Sequence, residues 1–238
     1  MIAWRLRHHV SLPSTSDLCI GLANQGEPEG LAILADRQTQ GRGSRGRLWT
    51  SPPGALCLSL LVRPRDPARD AGHWALLAAL ALYDALVPLA PAELSLKWPN
   101  DLLRNGQKLG GILLDAATNA HGLDWLVIGI GANLGTAPPG AAALPANPAT
   151  TAPAILAGIT AWYRRRLLEG WSAIRTAWLA RAHPVGTPVR VRAGGTDVAG
   201  AFDGLAEDGG LLLRAAGRVR SFPTGEILLA EHTVASAR

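Results

Sequence analysis

Gln38-Thr39-Gln40-Gly41-Arg42-Gly43-Ser44-Arg45-Gly46-Arg47-Leu48-Trp49 follows directly on an apolar run, Leu31 to Ala35. Three glycines and three arginines share the positions 41–47. Glycine lets backbone N–H groups come close to a ligand and admits φ > 0. Arginine supplies a planar cationic fork that matches carboxylate and phosphate. The stretch therefore reads as a loop that closes over a phosphorylated anion; the plainer alternative is a solvated, flexible basic loop. The spacing Gly41-x-Gly43-x-x-Gly46 also fits the dinucleotide fingerprint. That motif opens a helix at its third glycine, and Pro52 and Pro53 stand too close downstream for one.

Working outward, residues 2–12 read as a strand that enters Pro13-Ser14-Thr15-Ser16-Asp17, where a Ser/Thr cluster ahead of Leu18 to Ala23 has the form of a helix N-cap. Leu31 to Asp36 and Ala55 to Val62 read as strands, and a helix starting at Asp66-Pro67 or Asp70 runs to about Val87. Its Ala71 to Ala92 segment is apolar enough to resemble a membrane span, but His73, Tyr83, Asp84 and Pro88 interrupt it and a buried core helix is expected. Leu94 to Trp98 alternates and stops at Pro99. Asn105-Gly106 turns a hairpin between Asp101–Leu103 and Lys108–Asp115. Leu123 to Ile130 is a further strand, closed by a glycine turn at 129–133. A Pro/Ala-rich loop over 135–153 precedes a helix from Ala154 to about Ala182 that breaks at Gly170. Trp162, Trp171 and Trp178 are expected in the core. After His183-Pro184 the texture changes to short strands and turns, predicting a small β-barrel tail.

The 238 residues carry a net charge of +5, with only 17% charged residues. That balance favours anionic ligands or an acidic protein partner without itself indicating nucleic acid. Cys19 and Cys57 are the two cysteines. They form no CxxC pair, and the histidines form no HExxH, which argues against disulfide or zinc scaffolding and for a reducing compartment. The N-terminus lacks a signal peptide's apolar core.

Four features then converge: the glycine–arginine loop, Lys97-Trp98-Pro99-Asn100-Asp101 at a strand end, Lys108-Leu109-Gly110-Gly111-Ile112, and Gly129-Ile130-Gly131-Ala132-Asn133. With Ser14-Thr15, Gln38 and the C-terminal β module, they resemble the biotin protein ligases, over essentially the whole chain. The resemblance implies an α+β fold: a class II synthetase-like catalytic domain over residues 1–183, with a mixed sheet flanked by helices, and a small SH3-like β-barrel over 184–238. It implies a cytoplasmic enzyme that uses ATP and Mg²⁺ to convert biotin to biotinyl-5′-adenylate, then transfers it to a lysine on the biotin carboxyl carrier domain of a carboxylase. A monomer or homodimer is expected, with no membrane and no nucleic-acid partner.

The same resemblance implies residue roles. Ser14, Thr15, Ser16 and Gln38 would face the ureido ring of biotin, whose neutral donors and acceptors suit hydroxyl and amide groups. Gly41, Arg42 and Gly43 would close over biotin and the phosphate. Lys97 would bridge the biotin carboxylate and the α-phosphate, with Arg42 and Arg47 as further catalytic cations. Gly110, Gly111 and Ile112 would floor the biotin tail. Arg42, Ser44, Arg45, Arg47, Trp49, Asn100, Lys108 and Asn133 would serve the nucleotide; no residue is assigned to a metal. Departures from the usual pattern are Ser16 for Asn, Gln40 for Ala, Asp115 for Glu, and Ser44 where an arginine often follows Gly-Arg-Gly. The Ser44 departure implies weaker retention of the adenylate. The chain starts almost at the catalytic domain, so no repressor-type helix-turn-helix, and no operator binding, is expected. A lipoate ligase would need a pocket without the ureido partners. A nucleic-acid module would need more aromatic residues than Phe202 and Phe222 in the tail.

Overall fold

The computed structural model describes residues 2–229. Its first seven strands are β1 (Arg5–Leu12), β2 (Leu31–Gln38), β3 (Ala55–Val62), β4 (Leu94–Lys97), β5 (Asp101–Arg104), β6 (Gln107–Asn119) and β7 (Gly122–Asn133). They form one sheet in the order β1-β2-β3-β7-β6-β5-β4, in which only the β1–β2 pair is parallel. The helices are α1 (Thr15–Asn24), α2 (Ala71–Leu86), α3 (Pro148–Glu169) and α4 (Trp171–Leu179).

Strand alternation decides which face each residue serves. Leu31, Ile33, Leu61 and Val127 point to one face and pack with Cys19 and Ala23 of α1. Ala32, Leu34, Leu58, Leu60, Leu126 and Ile128 point to the other and pack with α2. β3 is buried along its whole length, as an apolar strand covered on both faces must be. α2 is apolar nearly all round, as befits a helix packed between the sheet and two other helices. With the short helical turns that flank it, the stretch Ala68–Leu89 has the length and composition of a membrane span, yet most of it is buried inside the fold. Trp74 is fully buried. Its indole donates to Asp66, which also pairs with Arg166 of α3.

The second sheet holds β8 (Pro188–Ala193), β9 (Thr196–Leu205), β10 (Leu211–Ala215), β11 (Arg218–Phe222) and β12 (Glu226–Leu229), in the antiparallel order β11-β10-β9-β8-β12. It forms the small barrel-like module expected of the tail; residues 230–238 of that expected unit lie outside the described residues. Trp98 ties it to the large sheet, its indole donating to the Gly209 carbonyl at 3.0 Å.

Asn105 and Gly106 both have positive φ (49° and 79°), so the hairpin turn is of the primed kind its sequence calls for. Gly170 breaks the long helix at φ 78°. α1 starts at Thr15, with Ser14 of the expected Ser/Thr cap accepting from the Asp17 N–H. Two expectations are corrected. α3 starts at Pro148 rather than Ala154, shortening the expected loop, because Asn147 caps it and Pro148 sits at its first position. Gly129 to Asn133 is not a turn: β7 runs straight through it, paired on both sides. Trp162 and Trp178 are buried, whereas Trp171 is half-buried against the core and stacks on His73.

Candidate active site

One register row runs across the face that carries α1: Lys97 (β4), Asp101 (β5), Gly111 (β6), Gly131 (β7), Cys57 (β3) and Ala35 (β2). The next row places Leu113, Gly129 and Ser59 side by side. Side chains opposite one another across a sheet share a face, so three glycines on adjacent strands leave a trough there. What fills it shows why they are glycines. A Cβ on Gly131 would lie 2.5 Å from the Trp49 ring, and one on Gly129 would lie 2.7 Å from Ser16 Oγ. The trough opens into a cavity lined by Thr15, Ser16, Gln38, Arg42, Gly43, Ser44, Trp49, Cys57, Asn100, Lys108, Gly111 and Ile112, among others.

The inner end is polar and uncharged. Gln38 Oε1 accepts from the Thr15 N–H at 2.7 Å and from its hydroxyl at 3.0 Å. The Thr15 and Ser16 hydroxyls both meet Ser59 Oγ, at 2.8 and 3.0 Å. Ser59 is fully buried, and its partners explain how a hydroxyl is tolerated in the core. Cys57 also lines this end; burial pushes its thiol pKa above the ordinary range, despite hydrogen bonding by Ser51 and Gln38. The thiol is therefore a packing group rather than a nucleophile.

The mouth is cationic. Arg42 reaches back to Asp17 of α1 at 2.8 Å and Asp115 of β6 at 2.9 Å. The hydrogen bond to Asp115 raises its pKa above the ordinary value, against partial desolvation. Lys108 Nζ lies 2.5 Å from Asp101 Oδ1 and 6.0 Å from the centroid of the Trp49 ring. Its chain crosses Gly111, where a Cβ would stand 3.2 Å from Nζ. Arg45, itself at φ 59°, and Arg47 reach Glu226 of β12 at 2.8 and 3.1 Å. With Ser44, Asn100 and Asp101 they line a crevice between the loop and the small sheet. Asn100 is fixed by the Ile112 N–H donating to its carbonyl at 2.8 Å. Asn133 is buried, donates to the Ala142 carbonyl at 3.0 Å, and lines a neighbouring cavity with Trp49, Arg47 and Lys108.

The structure thus gathers most of the expected residues round one cavity and its two extensions, with exceptions. Ser14 is buried and spent on capping α1. Gly41 and Gly110 act by proximity: a Cβ would fall 2.3 Å from the Trp49 carbonyl and 2.7 Å from the Gly131 carbonyl, respectively. Lys97, expected at the centre, lines none of these cavities. Its Nζ sits 3.2 Å from Asp101 Oδ2, at the far end of the register row. The sequence reading passed over Ser59, Cys57 and Leu113, and it named Gly129 and Gly131 in a motif without giving either a role. A lone serine in the wholly buried strand ALCLSLLV was the available signal, since a buried hydroxyl needs partners.

An uncharged, hydrogen-bonding recess that leads to a rim of fixed cations defines a binding site for a small molecule with a neutral polar head and an anionic tail. Residues 10–133, more than half of the chain, match the biotin/lipoate A/B protein ligase family, and 185–229 match the biotin protein ligase C-terminal domain. The chain belongs to this family. It is 37% identical to a biotin–[acetyl-CoA-carboxylase] ligase of Paracoccus denitrificans over 82% of this chain and 88% of that protein. A ligase of the same name from Mycobacterium tuberculosis is 33% identical over 90% of this chain and 85% of its own length. Among solved structures, the Aquifex aeolicus biotin protein ligase in complex with biotin and ATP superposes with a TM-score of 0.81 at 25% identity, covering 94% of this chain and 97% of that one.

Proposed function

We propose that the protein is an ATP-dependent biotin protein ligase. It joins biotin to AMP and passes the biotinyl group to a lysine on a carboxylase carrier domain. The observation that carries this reading is the polarity gradient within one cavity. Thr15, Ser16 and Gln38 form a neutral donor–acceptor end suited to the ureido ring; Arg42 and Lys108 form the charged end suited to a carboxylate and a phosphate. An aliphatic acyl group such as lipoate would leave the Thr15–Gln38–Ser59 group facing apolar atoms.

In the first step a biotin carboxylate oxygen attacks the α-phosphorus, the α–β phosphoanhydride bond breaks, and pyrophosphate leaves. The obstacle is charge, because an anion must approach a polyanion. Fixed cations lower that barrier without reorganising at the moment of reaction, and a shared cavity makes the encounter effectively unimolecular. Lys97 and Lys108, paired with the two oxygens of Asp101, are assigned to the carboxylate and the α-phosphate. Arg42 closes over the same point; Arg45 and Arg47 face the crevice that leads away from it, where departing phosphates would run. Trp49 and Asn133 border the neighbouring cavity and are assigned to the adenosine. In the second step the carrier amine attacks the acyl carbon and AMP leaves.

The described residues hold no group of three or more His, Cys, Asp or Glu able to cage a metal. The nearby carboxylates Asp17, Asp101 and Asp115 are each paired with Arg42 or a lysine. Such a donor set fits Mg²⁺ carried in on the nucleotide's phosphates, where it offsets their charge. We place the domain boundary at 183/184, between α4 and β8, and the activity in the cytoplasm. Incubation with biotin, ATP, Mg²⁺ and a carrier domain should add one biotinyl mass to the carrier. The Lys108→Met variant should lose biotin-dependent pyrophosphate exchange by about two to three orders of magnitude; an unmodified carrier with the parent enzyme would refute the assignment.

A further inference from the structure

Of the 23 lysine and arginine residues, only Lys97 and Lys108 are lysines. Both belong to the site described above, and one carboxylate takes up both ammonium groups: Lys108 Nζ lies 2.5 Å from Oδ1 of Asp101, and Lys97 Nζ 3.2 Å from Oδ2. Every other fixed cation, at the mouth and over the surface, is a guanidinium. Resting on the ligase reading above, we infer that the chain is inert toward its own activated product: it makes a reactive acyl adenylate and offers it no side-chain amine to acylate.

The reason is chemical. Biotinyl-5′-adenylate is a mixed anhydride. A neutral amine attacks its acyl carbon, an amide forms, the acyl–phosphate bond breaks, AMP leaves, and the proton shed by the amine passes to water. Only the neutral amine has the lone pair for this. At pH 8 about 1 in 250 exposed lysines is neutral, against on the order of 1 in 10⁵ guanidiniums. The hazard is greatest at the mouth, where proximity raises the effective concentration, and there Arg42, Arg45 and Arg47 stand, each paired with a carboxylate. At the outer surface the planar fork serves no comparable purpose. Arg69 is 82% exposed, and its ion pair is a long 3.9 Å contact with Asp70, the next residue. Arg164 of α3 is exposed as well. Exposed charges of this kind contribute little to stability, so lysine would serve the fold equally at both positions. What the exchange would alter is the number of acceptors the adenylate meets.

The test is acylation of the chain itself. The parent protein is incubated without a carrier, in one arm with biotin, ATP and Mg²⁺ and in the other with synthetic biotinyl-5′-adenylate, and peptide mass mapping locates any biotinyl group. No side chain of the parent should carry one in either arm. The Arg69→Lys and Arg164→Lys variants should each gain one biotinyl mass at the new lysine from the synthetic adenylate, at least tenfold above the parent, with biotin-dependent pyrophosphate exchange unchanged. A biotinyl group on Lys97, on Lys108 or on any other side chain of the parent would overturn the inference, and so would introduced lysines that stay unmodified. The synthetic adenylate probes the surface whether or not the chain makes the compound. A parent protein without pyrophosphate exchange would therefore refute the ligase reading, while acylation of its side chains is still read separately.

Discussion

Gly131→Ala asks whether the cavity's shape is set by absent side chains. Gly131 sits in the middle of β7, paired with Cys57 on one side and Gly111 on the other, and its φ is not among the positive values. Alanine is therefore acceptable to the backbone there, and the effect is steric. The new methyl would stand 2.5 Å from Trp49 Cε2 and 2.7 Å from Cζ2, more than an ångström inside ordinary carbon contact. Something must move, and the structure says which. β7 is held by hydrogen-bonded neighbours on both flanks, whereas Trp49 lies in a loop, anchored by its N–H to the Gly41 carbonyl at 2.9 Å, and its indole N–H has no partner. The ring should yield. Overpacking of this kind typically costs about 1–3 kcal/mol. If the displaced ring carries that cost into ligand binding, KM for ATP rises roughly 5- to 150-fold, while the melting temperature changes little. The assay is pyrophosphate exchange at varied ATP, with thermal unfolding alongside and Gly21→Ala as control; a Cβ on Gly21 meets nothing within 4 Å. A large fall in melting temperature with KM unchanged would show that the strand gives way instead, and would refute the reasoning.

Three further outcomes are expected. Glu226→Gln should free Arg45 and Arg47 for phosphate and tighten ATP binding; since both pairs are partly exposed the gain is limited to about fivefold, and weaker binding by calorimetry would show that Glu226 instead preforms the loop. Ser44→Arg should slow dissociation of the adenylate roughly tenfold by adding one charged hydrogen-bond donor at the rim, and equal off-rates in a filter-binding chase would exclude it. His183 is held below its ordinary pKa of 6.5, first by burial and then by Lys97. The unfolded chain therefore binds its proton more readily, so this contribution to stability is complete above about pH 6.5 and is lost as pH falls through the lower folded value. Denaturant unfolding between pH 5 and 7 should show a shallower acid decline in His183→Gln than in wild type, and parallel curves would contradict it.

What the sequence could and could not convey follows from the range of each signal. Strands, helices and the Asn105-Gly106 hairpin were legible because alternation, caps and turn residues act over a few positions; Asn147-Pro148 carried the same kind of signal and marks the true start of α3. The gathering of Thr15, Gln38, Arg42 and Gly111 could be anticipated only through likeness to a family. Nothing local brings α1 against the middle of a sheet whose strand order departs so far from chain order. The lysines show the limit most sharply. Lys97 and Lys108 each stand near a glycine- or proline-marked strand end, and composition cannot rank them. The deciding facts are non-local. Register puts Lys97 on an edge strand two strands from Gly111, roughly 10 Å away at ordinary strand spacing, while the bulge between Leu102 and Leu103 shifts the β5–β6 pairing beside Lys108. With Gly111 lacking a side chain, the Lys108 amine can fold back over it to the cavity. Asp101 then joins the two lysines, so that pairing across three strands, and not either local motif, brings them to one place.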